Sequence, residues 1–385
     1  MRGVEGGFYS TYLEGHPNST IYGVNHEVTS ESTGLALAYA ATSRDLNLFH
    51  EEFLFLKRYQ VGPLGVTYWK LNPDLTPFRN IEGSYSSALI DDLRILKALL
   101  KGYEIWRVEG YLELAGRMIG GVESYMTSDG LLVNNLDWTP TGSCLRSTIV
   151  VLGYIDFEAL AKAAEYNPTF IRVSDRCLEI VSNGRLRSTG LFYELYNTSS
   201  ATYLNLDGGV SSTFQILTAL HLAEAGLMRE AEPTYRFFKD LYLKDGVIYS
   251  NYDPVRGNHS AYEVDTGAYS LASRLAILEG DLDLPIRILA EKILPRQCTV
   301  QTSDLYGAFT STWPGESLDA NIWDNLLAIQ TIEEIILTMN IVDEPTDSNR
   351  CLWFTVLTLS VLTVAAICII ARRCRFPKWM RDGRR

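Results

Sequence analysis

The sequence predicts an all-α chain folded as an (α/α)6 barrel, a six-hairpin toroid, followed by a C-terminal transmembrane helix. Three observations carry that prediction. Stretches of helical periodicity come in pairs between residues 32 and 339. The two members of each pair differ in character. A run of twenty residues, 352–371, carries no charge. The composition allows one large core, since 385 residues that are 46% hydrophobic and 21% charged have globular proportions. A net charge of −12 argues against a surface built for phosphates, which excludes nucleic acid as a partner.

The helical pairs are 32–43 with 45–60, 86–103 with 106–126, 147–165 with 168–182, 209–225 with 228–243, and 262–279 with 283–296. Apolar residues recur in them at the spacing of one helix face. The first member is rich in small and apolar residues, as in 34–41. The second carries charge on one face, as in 230–244. A helix apolar all round is buried, and an amphipathic one lies outside it. Inner and outer helices therefore alternate. A last helix at 318–339 pairs with a short one near 4–14 to close the ring. Segments starting at Gly65, Gly130, Gly184 and Gly246 read as a turn followed by a short strand.

One domain then spans 1–345, with a linker at 346–351. As a helix, 352–371 is about 30 Å long, the thickness of a bilayer core. The last fourteen residues, 372–385, hold seven Lys or Arg and one Asp. The positive-inside rule puts this tail in the cytoplasm and the barrel outside the cell membrane. The first residues contain no apolar signal segment, so export predicts a start upstream of Met1. The six Cys include no CxxC pair and the five His no HExxH, so neither a metal site nor a cofactor is predicted.

Carboxylates fall at the starts of the inner helices: Glu31, Asp91 with Asp92, Asp207, and Asp265. Any one of them could simply cap its helix. In a barrel, though, these starts meet at one end, and the acids converge on a cleft. Glu31 stands before a very apolar helix, where burial raises a carboxyl pKa and suits it to donate a proton. Tyr68, Trp69, Tyr85, Trp138, Tyr252, Tyr306 and Trp313 lie near the strand segments. Aromatic faces stack on sugar rings. Paired carboxylates with aromatic platforms are the chemistry of glycoside hydrolysis.

Residues 30–49, with Ser30, Glu31, Asp45 and Phe49 in register, resemble the acid-bearing segment of glycoside hydrolase family 8. Residues 87–100, with Ser87, Ala88, Asp92 and Leu93, followed by Trp106, resemble that family's Ser-Ala-x-Asp-x-Asp-Leu helix. The resemblance covers residues 20–125. It implies an inverting, endo-acting hydrolase of a β-1,4-linked glycan. Glu31 would be the general acid, and Asp92 would hold the sugar at the cleavage subsite. Asp207, ahead of Asp265, would be the general base. Trp69, Tyr68, Tyr85, Asp91, Trp138 and Asp265 would line the substrate. The sequence departs from the family pattern at Ser32, Leu35, Ile90, Leu206 and Ser211. Two other readings use the same barrel. One is a polysaccharide lyase that recruits His26 and Tyr85. The other is a non-catalytic glycan-binding protein of a polysaccharide machine.

Overall fold

Six helices stand side by side around a common axis. Numbered in chain order, they are α1 (Ser30–Thr42), α3 (Leu89–Trp106), α5 (Phe157–Ala164), α7 (Ser212–Glu224), α9 (Thr266–Leu278) and α11 (Ile322–Val342). Each packs on the next, and α11 returns to α1, which closes the ring. Outside them run α2 (Leu46–Phe55), α4 (Glu109–Tyr125), α6 (Thr169–Asn183), α8 (Met228–Asp245) and α10 (Asp283–Ile288). Each of these follows an inner helix and packs against it. The computed structural model describes residues 6–13, 27–206, 209–254, 256, 258–310 and 319–342.

Side-chain size decides which helices lie inside. In α1, Gly34, Ala36, Ala40 and Ala41 are all buried, as are Leu35 and Leu37. Small residues on every side let this helix touch α2, α3 and α11 together. In α6 the buried residues are Phe170, Val173, Cys177, Ile180 and Val181. They form one stripe at three- and four-residue spacing, and the opposite face meets solvent. Both rings feed one core that runs from α1 to α11.

Three of the inner helices, α1, α5 and α9, are started by short polar side chains. Thr29 caps α1, accepting from the Ser32 amide at 3.2 Å while Ser32 Oγ accepts from the Thr29 amide at 3.1 Å. Asp156 caps α5 and Asp265 caps α9, through the amides of Ala159 at 2.8 Å and Ala268 at 2.7 Å. These caps satisfy backbone donors that the helices cannot. They also fix a common rim where the inner helices begin.

The all-α reading with a terminal membrane helix needs correction. The chain is α-rich, but its described residues form six small sheets, each of two or three strands. Among the described residues no helix is long and apolar enough to cross a membrane. The predicted span at 352–371 lies outside the described residues. The helix expected near 4–14 is also absent from its described part. Thr11–Leu13 is instead a strand, antiparallel to Asp319–Asn321 with Thr11 opposite Asn321. Thr-Tyr-Leu suits a pleated, half-buried edge better than a helix.

The third inner helix begins ten residues later than its periodicity implied. Ile149–Val151, a β-branched run, pairs with Leu195–Asn197 and leaves only 157–164 helical. The segment at Gly65 contains the strand Lys70–Leu71, and Asn251 at the end of the Gly246 segment begins the strand Asn251–Tyr252. That at Gly130 forms a hairpin of Thr127–Ser128 with Leu131–Leu132. The Gly184 segment makes only a bridge, Arg185 to Phe192.

Candidate active site

Glu31 is the second residue of α1, on the floor of the rim. It is half-buried at this rim. Burial pushes its carboxyl up to about 7, the Asp91 charge adds to the rise, and Arg94 opposes it. Asp91 lies in the first turn of α3. Its Oδ2 accepts from Ser30 Oγ at 2.6 Å, and its Oδ1 from Arg94 Nη1 at 3.1 Å. Burial raises the Asp91 carboxyl, while Arg94 and Ser30 pull it back.

Asp92 faces elsewhere. Successive helical residues project about 100° apart, so neighbours in sequence separate in space. Asp92 Oδ1 accepts from both the amide and the hydroxyl of Thr67, each at 2.8 Å. Burial pushes Asp92 up to about 8, so it is protonated at neutral pH. It pins the turn before Tyr68, and the carboxylate bonded beside the acid is Asp91.

Asp265 stands at the same rim, at the start of α9. It is exposed there, yet enclosed enough that desolvation raises its carboxyl, against hydrogen bonds from the Ala268 amide and the Trp323 indole. Its charge is felt at Glu31, as is that of Asp324. Asp324 is buried and occupied, accepting from the Gly267 amide at 2.6 Å and Asn321 Nδ2 at 2.9 Å. Asp207 lies outside the described residues.

Two groups at this rim escaped the sequence reading. Tyr154 ends a 3-10 turn, Leu152–Tyr154, just before α5. Burial, then Asp91 and Glu31, push its phenol up to about 12, so it stays protonated beside them. It meets Phe214 edge-on at 5.7 Å. A helix drawn from residue 147 had hidden Tyr154 in mid-helix. Arg94 was overlooked too, although its place three residues after Asp91 was a signal for an ion pair on one helix face.

Trp69 is tied to Ser30, the residue before Glu31. Its carbonyl accepts from the Ser30 amide at 2.9 Å and from Ser30 Oγ at 3.2 Å. Its ring is half-buried and edge-on to Phe78 at 6.0 Å. Tyr68, Tyr85 and Trp138 instead pack on one another. Tyr68 lies 5.0 Å from Tyr85 and stacks on Trp138 at 5.3 Å. Trp138 is only 3% exposed, so its faces are covered by protein and not open to a ligand.

Below the rim, the barrel axis holds a cavity of about 340 Å³, reaching from Arg94 and Trp323 to Lys101 and Glu334. Asp156, His221 and Glu224 bring ligand atoms within 4.8 Å of one another there. Lys97 Nζ already lies 2.6 Å from Asp156 and 2.9 Å from Glu224. Its ammonium supplies the cation a metal would otherwise bring. Against burial, Lys97 and Arg274 hold Glu224 down to about 2.

A closed inner ring of helices with a second ring outside it is an (α/α)6 barrel, with acidic residues at the starts of its inner helices. No protein-family model matches the chain. It is 21% identical over 300 residues to the putative lipoprotein YdaJ of Bacillus subtilis (strain 168), covering 78% of this chain and 77% of that one. A novel alpha-amylase from Clostridium perfringens superposes with a TM-score of 0.72 at 22% identity, over 80% of this chain and 86% of that one. The endo-β-1,4-glucanase CMCax from Acetobacter xylinum does so with a TM-score of 0.58 at 16% identity, over 82% and 91%.

Proposed function

We propose that the protein is an inverting glycoside hydrolase that cuts within a β-1,4-linked polysaccharide, with Glu31 as general acid. The observation that carries this reading is Glu31 itself. It is a carboxyl on the cleft floor, pushed up to about 7, so a large fraction holds a proton at neutral pH. A group titrating near the working pH is an efficient proton donor.

Protonation of the glycosidic oxygen by Glu31 lets the leaving sugar depart as an alcohol. A water on the opposite face must then lose a proton to a base. Asp265 is our choice for that base, since it is exposed to the same cleft and its charge reaches Glu31. Asp91 carries the role first given to Asp92, holding the sugar beside the acid. Tyr154 offers a protonated hydroxyl to the same sugar. The Trp69 ring gives it an apolar face. Supporting a hydrolase over a lyase, the groups gathered on the floor are carboxylates. Tyr85 is engaged by Arg79 at 2.9 Å and packed against Tyr68.

A second reading has one specific observation behind it. The Clostridium perfringens superposition, at 0.72, exceeds that of the endoglucanase, at 0.58. The first of these is described as an alpha-amylase, which makes an α-linked glucan the rival substrate. The relative described as a putative lipoprotein supports a place at a membrane, outside the cytoplasm.

Reducing-end release should be measured on β-glucans, xylan, chitosan, amylose and surface polysaccharide. Wild type, Glu31→Gln, Asp265→Asn and Asp207→Asn should be compared. Release that Glu31→Gln lowers at least about 100-fold supports the acid. Whichever Asp variant falls as far identifies the base. Release from no glycan, with binding that Glu31→Gln leaves intact, would favour the non-catalytic reading.

A further inference from the structure

We infer that Arg94 is a positioning residue: its guanidinium holds Asp91 as the anion beside Glu31, so that the one proton this pair keeps resides on Glu31. The inference rests on the reading of Glu31 as proton donor, and deepens it.

The geometry is specific. Asp91 receives a donor on each oxygen, Arg94 Nη1 on Oδ1 at 3.1 Å and Ser30 Oγ on Oδ2 at 2.6 Å. Two donors, one of them a charged guanidinium, favour the anion of Asp91 over its neutral form, against the burial that raises its pKa, and leave lone pairs for a further contact. Glu31 adjoins Ser30 on α1, so the Asp91 charge falls on it, and two like charges this close do not both ionise readily.

The fold makes room for Arg94 at a cost. Gly34 lies one turn after Glu31 inside α1, where glycine disfavours a helix by roughly 1 kcal/mol relative to alanine. A Cβ at Gly34 would come within 3.3 Å of Arg94 Cδ and 3.2 Å of Ile95 Cγ1. The missing side chain is the passage through which the arginine stem reaches the floor. On its other side, the guanidinium lies 6.0 Å from the Trp323 ring centroid. Arg94 thus separates the catalytic floor from the axial cavity, which it also lines.

The charged and titratable groups around the pair and Arg94 are Glu31 on α1, Asp92 on α3, Tyr154 before α5, His221 on α7, Asp265 at the start of α9 and Asp324 on α11. Arg94 is the cation among those that act on Glu31, and the remaining charges acting there are acidic.

The test is a carboxyl titration by ¹³C NMR, with Glu31→Gln and Asp91→Asn used for assignment. Wild type would be compared with Arg94→Met, Arg94→Gln and Arg94→Lys. Loss of the cation should raise the lower apparent pKa of the pair by about one unit or more. Arg94→Lys should stay near wild type. In the pH–rate profile, both limbs should move to higher pH in the Met and Gln variants, since each carboxyl then holds its proton longer. Should Arg94→Met fail to fold, Arg94→Gln, which keeps the stem and a donor, decides. A folded neutral variant whose pair titrates as in wild type would overturn the inference. Absence of hydrolysis in wild type, with the titration shift present, would sink the hydrolase reading and leave the role of Arg94 standing.

Discussion

Ser30 Oγ donates to Asp91 Oδ2 at 2.6 Å, which ties the first turn of α1 to the first turn of α3 beside the proposed acid. The bond is buried and its acceptor charged, so it is worth about 1.5–3 kcal/mol. Ser30→Ala should destabilise the protein by that amount in urea melts. It should also lower hydrolysis, because Asp91 loses one of its two fixed contacts. Stability equal to wild type would mean that the bond is not formed in solution.

Glu31 must carry its proton to act. Its carboxyl, pushed up to about 7 by burial and Asp91, loses that proton as pH rises through the same value. The rate should therefore fall on the alkaline side of about 7. Glu31→Gln should be about 100-fold slower or worse while folding normally. A rate that stays level to pH 9 would remove Glu31 from the role of acid.

Asp92 predicts a pH dependence of stability. Its carboxyl is pushed from 3.8 up to about 8 by burial. The folded state keeps this proton longer than the unfolded chain does. The Asp92 contribution is thus fully present below about 4 and is lost as pH rises to about 8. Asp92→Asn keeps an acceptor for Thr67 and has no charge to bury. Its melting temperature should gain on wild type by several degrees between pH 5 and pH 9, at about 1.4 kcal/mol per pKa unit. A constant difference across that range would show that Asp92 does not titrate there.

Lys97 joins Asp156 and Glu224 inside the barrel. Lys97→Met should cost about 3–5 kcal/mol, because it leaves two buried carboxylates facing each other. Adding Glu224→Gln should recover part of that loss. A double variant less stable than the sum of the single losses would overturn this account of the cluster.

Gly267 lies against the indole of Trp323, where a Cβ would come within 2.0 Å of Nε1. Gly267→Ala must displace the ring, which also donates to Asp265. Overpacking of this kind costs about 1–3 kcal/mol. Hydrolysis should fall with it if Asp265 is the base. Unchanged activity at reduced stability would separate Asp265 from catalysis.

Periodicity alone located α1 to α11, with α5 drawn ten residues too early, because a 3.6-residue repeat of apolar side chains is a local property of the chain. The inner and outer assignment was equally local, since it depends on whether one face of a helix or every face is apolar. Glu31 could be singled out for the same reason: it is a carboxylate in the first turn of a helix that is otherwise almost wholly apolar. Other features depended on distant partners. Thr11–Leu13 became a strand because Asp319–Asn321 lies beside it. Residues 149–151 left α5 because 195–197 paired with them, and that pairing brought Tyr154 to the rim.

The division between Asp91 and Asp92 is the clearest case. Both are acids at the start of the same helix, and nothing local distinguishes them. Their roles follow from which way each projects and what stands there: Ser30 and Arg94 for Asp91, and Thr67 for Asp92. The sequence by itself determined where helices run, which are buried, and that acids collect at their starts. Only the tertiary structure decided which acids share a cleft and which hold a proton. Those properties are set by burial and by charges that come from other helices, and neither is encoded in spacing along the chain.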